Sequence, residues 1–194
     1  IKIPIVSSWS GVDTIDYNNQ NYIGHVGVYG SRSGNFTVQN SDLLLTLGSR
    51  LDTRITGGKP STFARNAKLV MVDIDKGELS KRRGLTPFKE ININVSDFIK
   101  NFKKEIIKEN LYNKLSRPKW LQICKKWKLQ YPTFLEEFGK DKKFVNPYKF
   151  TEILSTKLNN KEVVIPDDGA HLTWFMQSFK VKLGQRIFSA FGNS

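Results

Sequence analysis

Asp42-Leu43-Leu44-Leu45-Thr46-Leu47-Gly48 is a continuous apolar run closed by a glycine. A run of this length and composition predicts a strand buried on both faces, as in a parallel sheet. Similar signals flank it. Ile3–Ser7 reads as a short buried strand ending in a Ser-Trp-Ser-Gly turn, Lys68–Asp73 as a second buried strand of the series, and Ile91–Asn94 as a third. Helical signals fall between them. Gly24–Gly34 is glycine-dense and reads as a loop entering a helix at about Ser33–Asn40. Ser49–Pro60 reads as a polar loop, and a short helix starts near Gly77. Ser96 or Asp97 then caps a helix whose Phe98, Ile99, Phe102, Ile106 and Ile107 form a stripe of helical period. Strands alternating with helices at this spacing predict a parallel, doubly wound (Rossmann-like) α/β domain. Ligands of such sheets sit beyond the carboxyl ends of the strands, so the loops after Leu47 and Val72 are the places to look for chemistry.

Beyond Ser116 the character changes. Arg117–Tyr131 reads as a helix with Trp120, Leu121, Cys124 and Trp127 on one side, and Pro132–Phe144 as a charged, irregular linker. Asn146-Pro147 opens a further helix, Val163–Ile165 is a strand, and Arg186–Ser189 is strand-like. The expected division is a central α/β domain over 1–115, a helix and linker over 116–145, and the start of a second α/β unit over 146–194. Ile1 is not a start methionine and the chain closes on Phe191-Gly192-Asn193-Ser194, so a piece of a longer protein is expected.

Composition excludes several classes. With 39% hydrophobic residues the chain can form a core. No apolar run approaches the roughly 20 residues needed to span a bilayer, and no signal peptide is visible. Cys124 is the single cysteine, which rules out an internal disulfide and points to a reducing, cytoplasmic setting. The net charge of +13 invites a nucleic-acid reading. The basic residues, however, fall in small groups such as Lys103–Lys104 and Lys125–Lys126 on polar helical faces, with no zinc-finger, RRM or KH pattern beside them.

Four constellations could carry chemistry. Gly27, Gly30 and Gly34 enclose Ser31, Arg32 and Ser33; glycines let backbone approach a ligand, though the spacing is not G-x-G-x-x-G and tight turns explain it equally well. Arg50, Asp52 and Arg54 share a loop after a buried strand, where arginines can grip a phosphate or simply pair with the aspartate at the surface. Asp73-Ile74-Asp75, with Glu78, offers carboxylates to a ribose, or Asp75 to a helix cap; Asp97 poses the same alternative. His171, after Asp167-Asp168-Gly169-Ala170, can donate to a phosphate at a helix start or act as an ordinary capping histidine. His25 has no evident role, and Cys124 reads as core.

In order and spacing these constellations resemble the large subunit of acetolactate synthase (acetohydroxyacid synthase), a thiamine-diphosphate-dependent family. The family's central domain carries an apolar strand ending in Gly-x-Arg-x-Asp-x-Arg-x-Thr-Gly, here Gly48, Arg50, Asp52, Arg54, Thr56 and Gly57, followed by Phe63-Ala64, Ala67-Lys68 and Asp73-Ile74-Asp75. The family's Gly-Gln-His loop, at the opening of its diphosphate-binding domain, aligns with Gly169-Ala170-His171, and Trp174, Gln177 and Phe179 fit downstream. Tyr29, Leu51, Ala170 and Ser96 stand where the family usually has His, Phe, Gln and Gly.

The resemblance implies FAD in a structural role beside Val28, Tyr29, Gly30, Gly48, Ser49, Arg50, Asp52, Arg54, Ile55, Asp73, Ile74, Glu78 and Asp97. It implies thiamine diphosphate near Gly169, Ala170, His171 and Ser194, with Mg2+ in the parent enzyme. It implies a transferase or lyase of branched-chain amino acid biosynthesis that decarboxylates a 2-oxoacid and joins the two-carbon unit to an acceptor carbonyl. The assembly it implies is a homodimer or homotetramer. No catalytic or metal-binding residue is expected within this stretch, because the family's activating glutamate and Gly-Asp-Gly motif lie outside it. The competing readings are a non-catalytic FAD- or nucleotide-binding module and a basic nucleic-acid-binding protein.

Overall fold

The computed structural model describes residues 1–140 and 143–190. Its strands pair only in parallel, and helices separate them, so the α/β expectation holds. β1 (Ile5–Ser7) pairs with β2 (Tyr22–His25); β3 (Leu43–Leu47), β4 (Lys68–Asp73) and β5 (Lys89–Asn92) form a three-stranded sheet in that order; β6 (Val163–Val164) pairs with β7 (Arg186–Ile187). The helices are α1 (Arg32–Gln39), α2 (Thr53–Thr56), α3 (Lys76–Lys81), α4 (Val95–Lys108), α5 (Tyr112–Leu115), α6 (Pro118–Gln130), α7 (Pro147–Lys157) and α8 (Ala170–Ser178).

Several expectations are corrected. The stretch from Gly24 is not loop from its start, because Tyr22–His25 pairs with β1 and is buried along its whole length. Ser8–Gly11 runs into a 3-10 segment, Trp9–Thr14, rather than a simple turn. The polar loop after β3 contains the helical turn α2. The α4 cap is Asn94, whose side chain accepts from the Ser96 amide; Ser96 and Asp97 lie within the first turn. Asn is among the strongest N-caps, and Val95 after it already belongs to the apolar stripe, with Phe98 and Ile99 three and four residues on.

The leucine run is a strand, but not one buried on both faces. Among the described residues β3 has a neighbour on one side only, β4, and Leu43 and Leu47 are 57% and 39% exposed. Leu44 points the other way into the main core, as the period of 2 requires. That core gathers Val38 of α1, Leu51, Phe63 and Ala64 of the connecting loops, Leu69 and Met71 of β4, Leu79 of α3 and Leu85. On the opposite face α4 lies against β4, and Val72 and Ile106 are buried. Ile99 and Ile107 of the α4 stripe remain exposed.

α6 sets Leu121 and Cys124 against Ile23 of β2, with Trp120 and Trp127 alongside, so the helical face expected from the sequence is the packed one. Burial raises the Cys124 thiol pKa, which suits a core side chain rather than a nucleophile. A further core joins Trp9 and Val12 to Leu172, Phe175, Met176, Phe179, Val181 and Ile187. The segment after β1 therefore buries its aromatic ring among residues more than 160 positions later in the chain.

Candidate functional site

Four turns at the carboxyl ends of β2, β3, β4 and β5 carry most of the candidate residues. The turn after β2 begins at Gly27, at φ +122°, where a β-carbon would stand 2.5 Å from the Arg54 carbonyl oxygen. The Val28 amide donates to that carbonyl at 2.8 Å, which ties the first turn to α2. Asn35 clamps Gly27 from the other side, donating to its carbonyl and accepting from its amide, both at 2.9 Å. Glycine is needed here because two backbones meet with no room for a side chain.

After β3, Gly48 leads through Ser49 and Arg50 to Leu51. Leu51 has φ +50° and is buried in the core, so the departure from the usual Phe is a packing change and not a change on the ligand-facing surface. Asp52 caps α2 by accepting from the Arg54 and Ile55 amides, so its side chain serves the helix start. After β4, Asp73 accepts from the Asp75 amide at 2.8 Å, and Asp75 caps α3. Glu78 gathers cations: Lys81, Arg83 at 2.6 Å and Arg50 at 3.7 Å. The hydrogen bond from Lys81, followed by that from Arg83, holds its carboxyl at about 2. Arg83 also donates to the Arg50 carbonyl at 3.0 Å, joining this turn to the previous one. After β5, the start of α4 approaches Gly48 through Val95, while Asp97 is exposed and pairs loosely with Lys100 at 3.8 Å.

The fold thus brings Val28, Tyr29 and Gly30, the stretch Gly48 to Ile55, and Asp73 to Glu78 to one edge. A shallow cavity of about 180 Å³ lies there, lined in part by Gly27, Val28, Asn35, Ile55 and Thr56. Three apolar side chains on this edge face solvent: Val28 at 60%, Tyr29 at 40% and Ile74 at 66%. The Arg50 side chain is 66% exposed and only loosely held. Apolar surface beside an available guanidinium suits a ring system joined to a diphosphate. Glu78 differs, since its carboxylate is already committed to cations.

The second candidate group sits at the start of α8. Gly169, at φ +114°, precedes the helix, and no side chain caps it. Gly169, Ala170 and His171 are all exposed. Uncapped amides at a helix start suit a phosphate, whereas the neighbouring Asp167 and Asp168 carboxylates fold back on the loop, each accepting from the next amide. Ser194 lies outside the described residues. Gln177 of α8 reaches the first edge by donating to the Tyr29 carbonyl at 3.0 Å.

Sequence reasoning missed several partners. Arg83 is needed to explain Glu78. Trp9 lies tilted on Tyr29 at 4.8 Å, with the Arg54 guanidinium 5.8 Å from its ring centre. His25 is fully enclosed: its Nδ1 is 3.0 Å from both Ser7 Oγ and Tyr22 Oη, and the ring also hydrogen-bonds the Met176 backbone. Burial, with the Lys128 charge adding to it, lowers its pKa to about 4. No spacing rule in the sequence joins residues 7, 22, 25 and 176. Among the described residues no three or more His, Cys, Asp or Glu side chains are grouped to hold a metal ion, and no helix is long and apolar enough to cross a membrane.

The fold and this edge define a class, a parallel α/β unit whose strand-end turns can receive a cofactor. The family is specific: the chain belongs to the thiamine pyrophosphate enzyme, central domain family, whose model matches residues 1–101. It is similar to the acetolactate synthase large subunit of Cyanidium caldarium, 32% identical over 192 residues, covering 98% of this chain and 32% of that protein. It is also similar to that of Porphyra purpurea, 28% identical over 194 residues, covering 97% of this chain and 31% of that protein. Acetolactate synthase 3, chloroplastic, of Brassica napus is 27% identical over 190 residues, covering 98% of this chain and 28% of its own length. The chain spans about a third of the length of the curated relatives it matches.

Proposed function

We propose that this chain forms the central domain and the start of the diphosphate-binding domain of a thiamine-diphosphate-dependent enzyme that decarboxylates a 2-oxoacid and transfers the two-carbon unit to an acceptor carbonyl, as acetolactate synthase does. The proposed division is 1–115, 116–145 and 146–194. The observation that carries the reading is the convergence of the strand-end turns at one edge. Arg50 stands available there beside exposed Val28, Tyr29 and Ile74, in a chain similar along almost its whole length to acetolactate synthases.

In this reading Arg50 holds the FAD diphosphate, and Val28, Tyr29 and Ile74 offer apolar surface to its rings. Glu78 supports Arg50 from behind rather than binding ribose. The exposed amides at Gly169, Ala170 and His171 face thiamine diphosphate, which supplies the electron sink for decarboxylation when bound with Mg2+. The protein works as a homodimer or homotetramer in the cytoplasm, on a small 2-oxoacid such as pyruvate.

The test uses the whole protein that contains this chain. With pyruvate, thiamine diphosphate and Mg2+ it is expected to form acetolactate; no acetolactate and no release of carbon dioxide would overturn the reading. The 194-residue chain alone is expected to be inactive. For the flavin, absorbance that survives desalting is expected, with Arg50→Ala weakening FAD retention about tenfold or more through loss of a charge-assisted phosphate contact.

A further inference from the structure

A cavity of about 200 Å³ opens between α6 and β2 on one side and α7 and α8 on the other. None of the candidate cofactor residues lines it. Its walls include the rings of Tyr17, Tyr22 and Tyr131, and two ammonium groups reach it, Lys128 and Lys180. Lys180 is neutralised by Glu152, with Nζ 2.5 Å from Oε1. Lys128 has no such partner: among the described residues no carboxylate pairs with it. Its Nζ donates to the Tyr22 carbonyl at 3.0 Å and lies 4.4 Å from the Tyr17 ring centre and 5.3 Å from that of Tyr22. One hydrogen bond leaves two of its three N–H groups unused.

Ser178 supplies the second observation. Its hydroxyl is buried on the cavity wall and has no hydrogen-bond partner among the described residues, in a residue only 9% exposed. Buried hydroxyls are rarely left unpaired, so an orphan in the wall of a cavity that also holds an unpaired ammonium marks a place where an acceptor belongs. Burial lowers the Lys128 pKa, with the Lys180 charge adding to it, and an anion in the cavity would relieve both effects.

We propose that this cavity binds a small organic monocarboxylate, its oxygens accepting from Lys128 Nζ and Ser178 Oγ and its carbon body lying against the tyrosine rings. The single uncompensated charge favours a monoanion over a di- or trianion. The volume is below the roughly 300 Å³ at which drug-sized ligand sites begin, so the ligand is small. Because the walls come from two different cores, the occupant links the β2–α6 layer to the α7–α8 unit.

Calorimetric titration of the 194-residue chain with benzoate, acetate and benzamide tests this. Saturable binding of one benzoate is expected at about millimolar Kd or tighter, with benzamide at least about tenfold weaker. Lys128→Met should remove the preference for benzoate over benzamide, and Ser178→Ala should weaken benzoate by about three- to tenfold. Lys119→Met, at an exposed position on the same helix, should change nothing. No saturation by about 50 mM would overturn the proposal, as would equal binding of benzamide, or a Lys128→Met variant that binds benzoate as the parent does. If Lys128→Met fails to fold, the benzoate–benzamide comparison on the unmodified chain decides the matter.

Discussion

His25 shows how one residue ties protonation to folding. Its pKa falls from 6.5 to about 4 because burial disfavours the charged ring. The unfolded chain therefore binds more protons between these values, and unfolding free energy rises with pH across that window. The stabilisation is complete above pH 6.5 and is lost as pH falls toward 4. Urea denaturation at pH 7.5 and pH 4.5 should show a loss on the order of 3 kcal/mol from this group. His25→Gln should flatten that part of the profile; an unchanged slope in the variant would remove His25 as its cause. Gly27 makes a steric prediction at the same scale. Its φ of +122° and the Arg54 carbonyl 2.5 Å from a would-be β-carbon leave Gly27→Ala no relaxed conformation. A loss of about 1–3 kcal/mol in chemical denaturation is expected. Gly58, which has nothing within 4 Å of the same position, is the control.

At the scale of elements, the caps decide where helices begin and where ligand-facing side chains end up. Asn94 caps α4, whereas Asp97 lies exposed in its first turn. Asn94→Ala should cost about 1 kcal/mol, and Asp97→Ala a few tenths at most, in thermal or urea unfolding. The reverse order would put the helix start where the sequence placed it. The capping reading of Asp75 was present in the sequence as an alternative and the structure uses it, whereas the cap that Asp52 provides for α2 was not among the readings the sequence offered. The competing surface cluster of Arg50, Asp52 and Arg54 does not describe Arg50, whose guanidinium turns to Glu78 instead. What decided this was Arg83, which reaches Glu78 and the Arg50 carbonyl from a turn some thirty residues further along. Local spacing carries no trace of such a contact.

Across the whole molecule, stability depends on how the cores are joined. Val6 packs against both the main core and the Ile23–Leu121–Cys124 cluster, and Trp9, three residues later, belongs to the core with Phe175 and Phe179. A segment shared in this way should make the chain unfold as one unit. Far-UV circular dichroism and tryptophan fluorescence should report coincident transitions, and Leu121→Ala should lower both midpoints together, at about 2–4 kcal/mol. Two separated transitions would show that the shared segment does not couple the cores.

The sequence by itself determined the alternation of strands and helices, the parallel class, the apolar face of α6 and the family. These follow from periodicity, capping chemistry and motif spacing, which act over a few residues and can be read along the chain. It did not determine β2, because Tyr22-Ile23-Gly24-His25 alternates too little to announce a strand and is held there by pairing with β1 and by α1 and α6 above it. Nor could it tell that Leu43 and Leu47 lie exposed on a strand with one neighbour, since a leucine run reads the same whether or not anything covers it. The enclosure of His25 and the placing of Lys128 and Ser178 on the walls of one cavity belong wholly to the tertiary structure. They bring together residues far apart in the chain, and their energetics come from burial and desolvation, which exist only once the surrounding elements have packed.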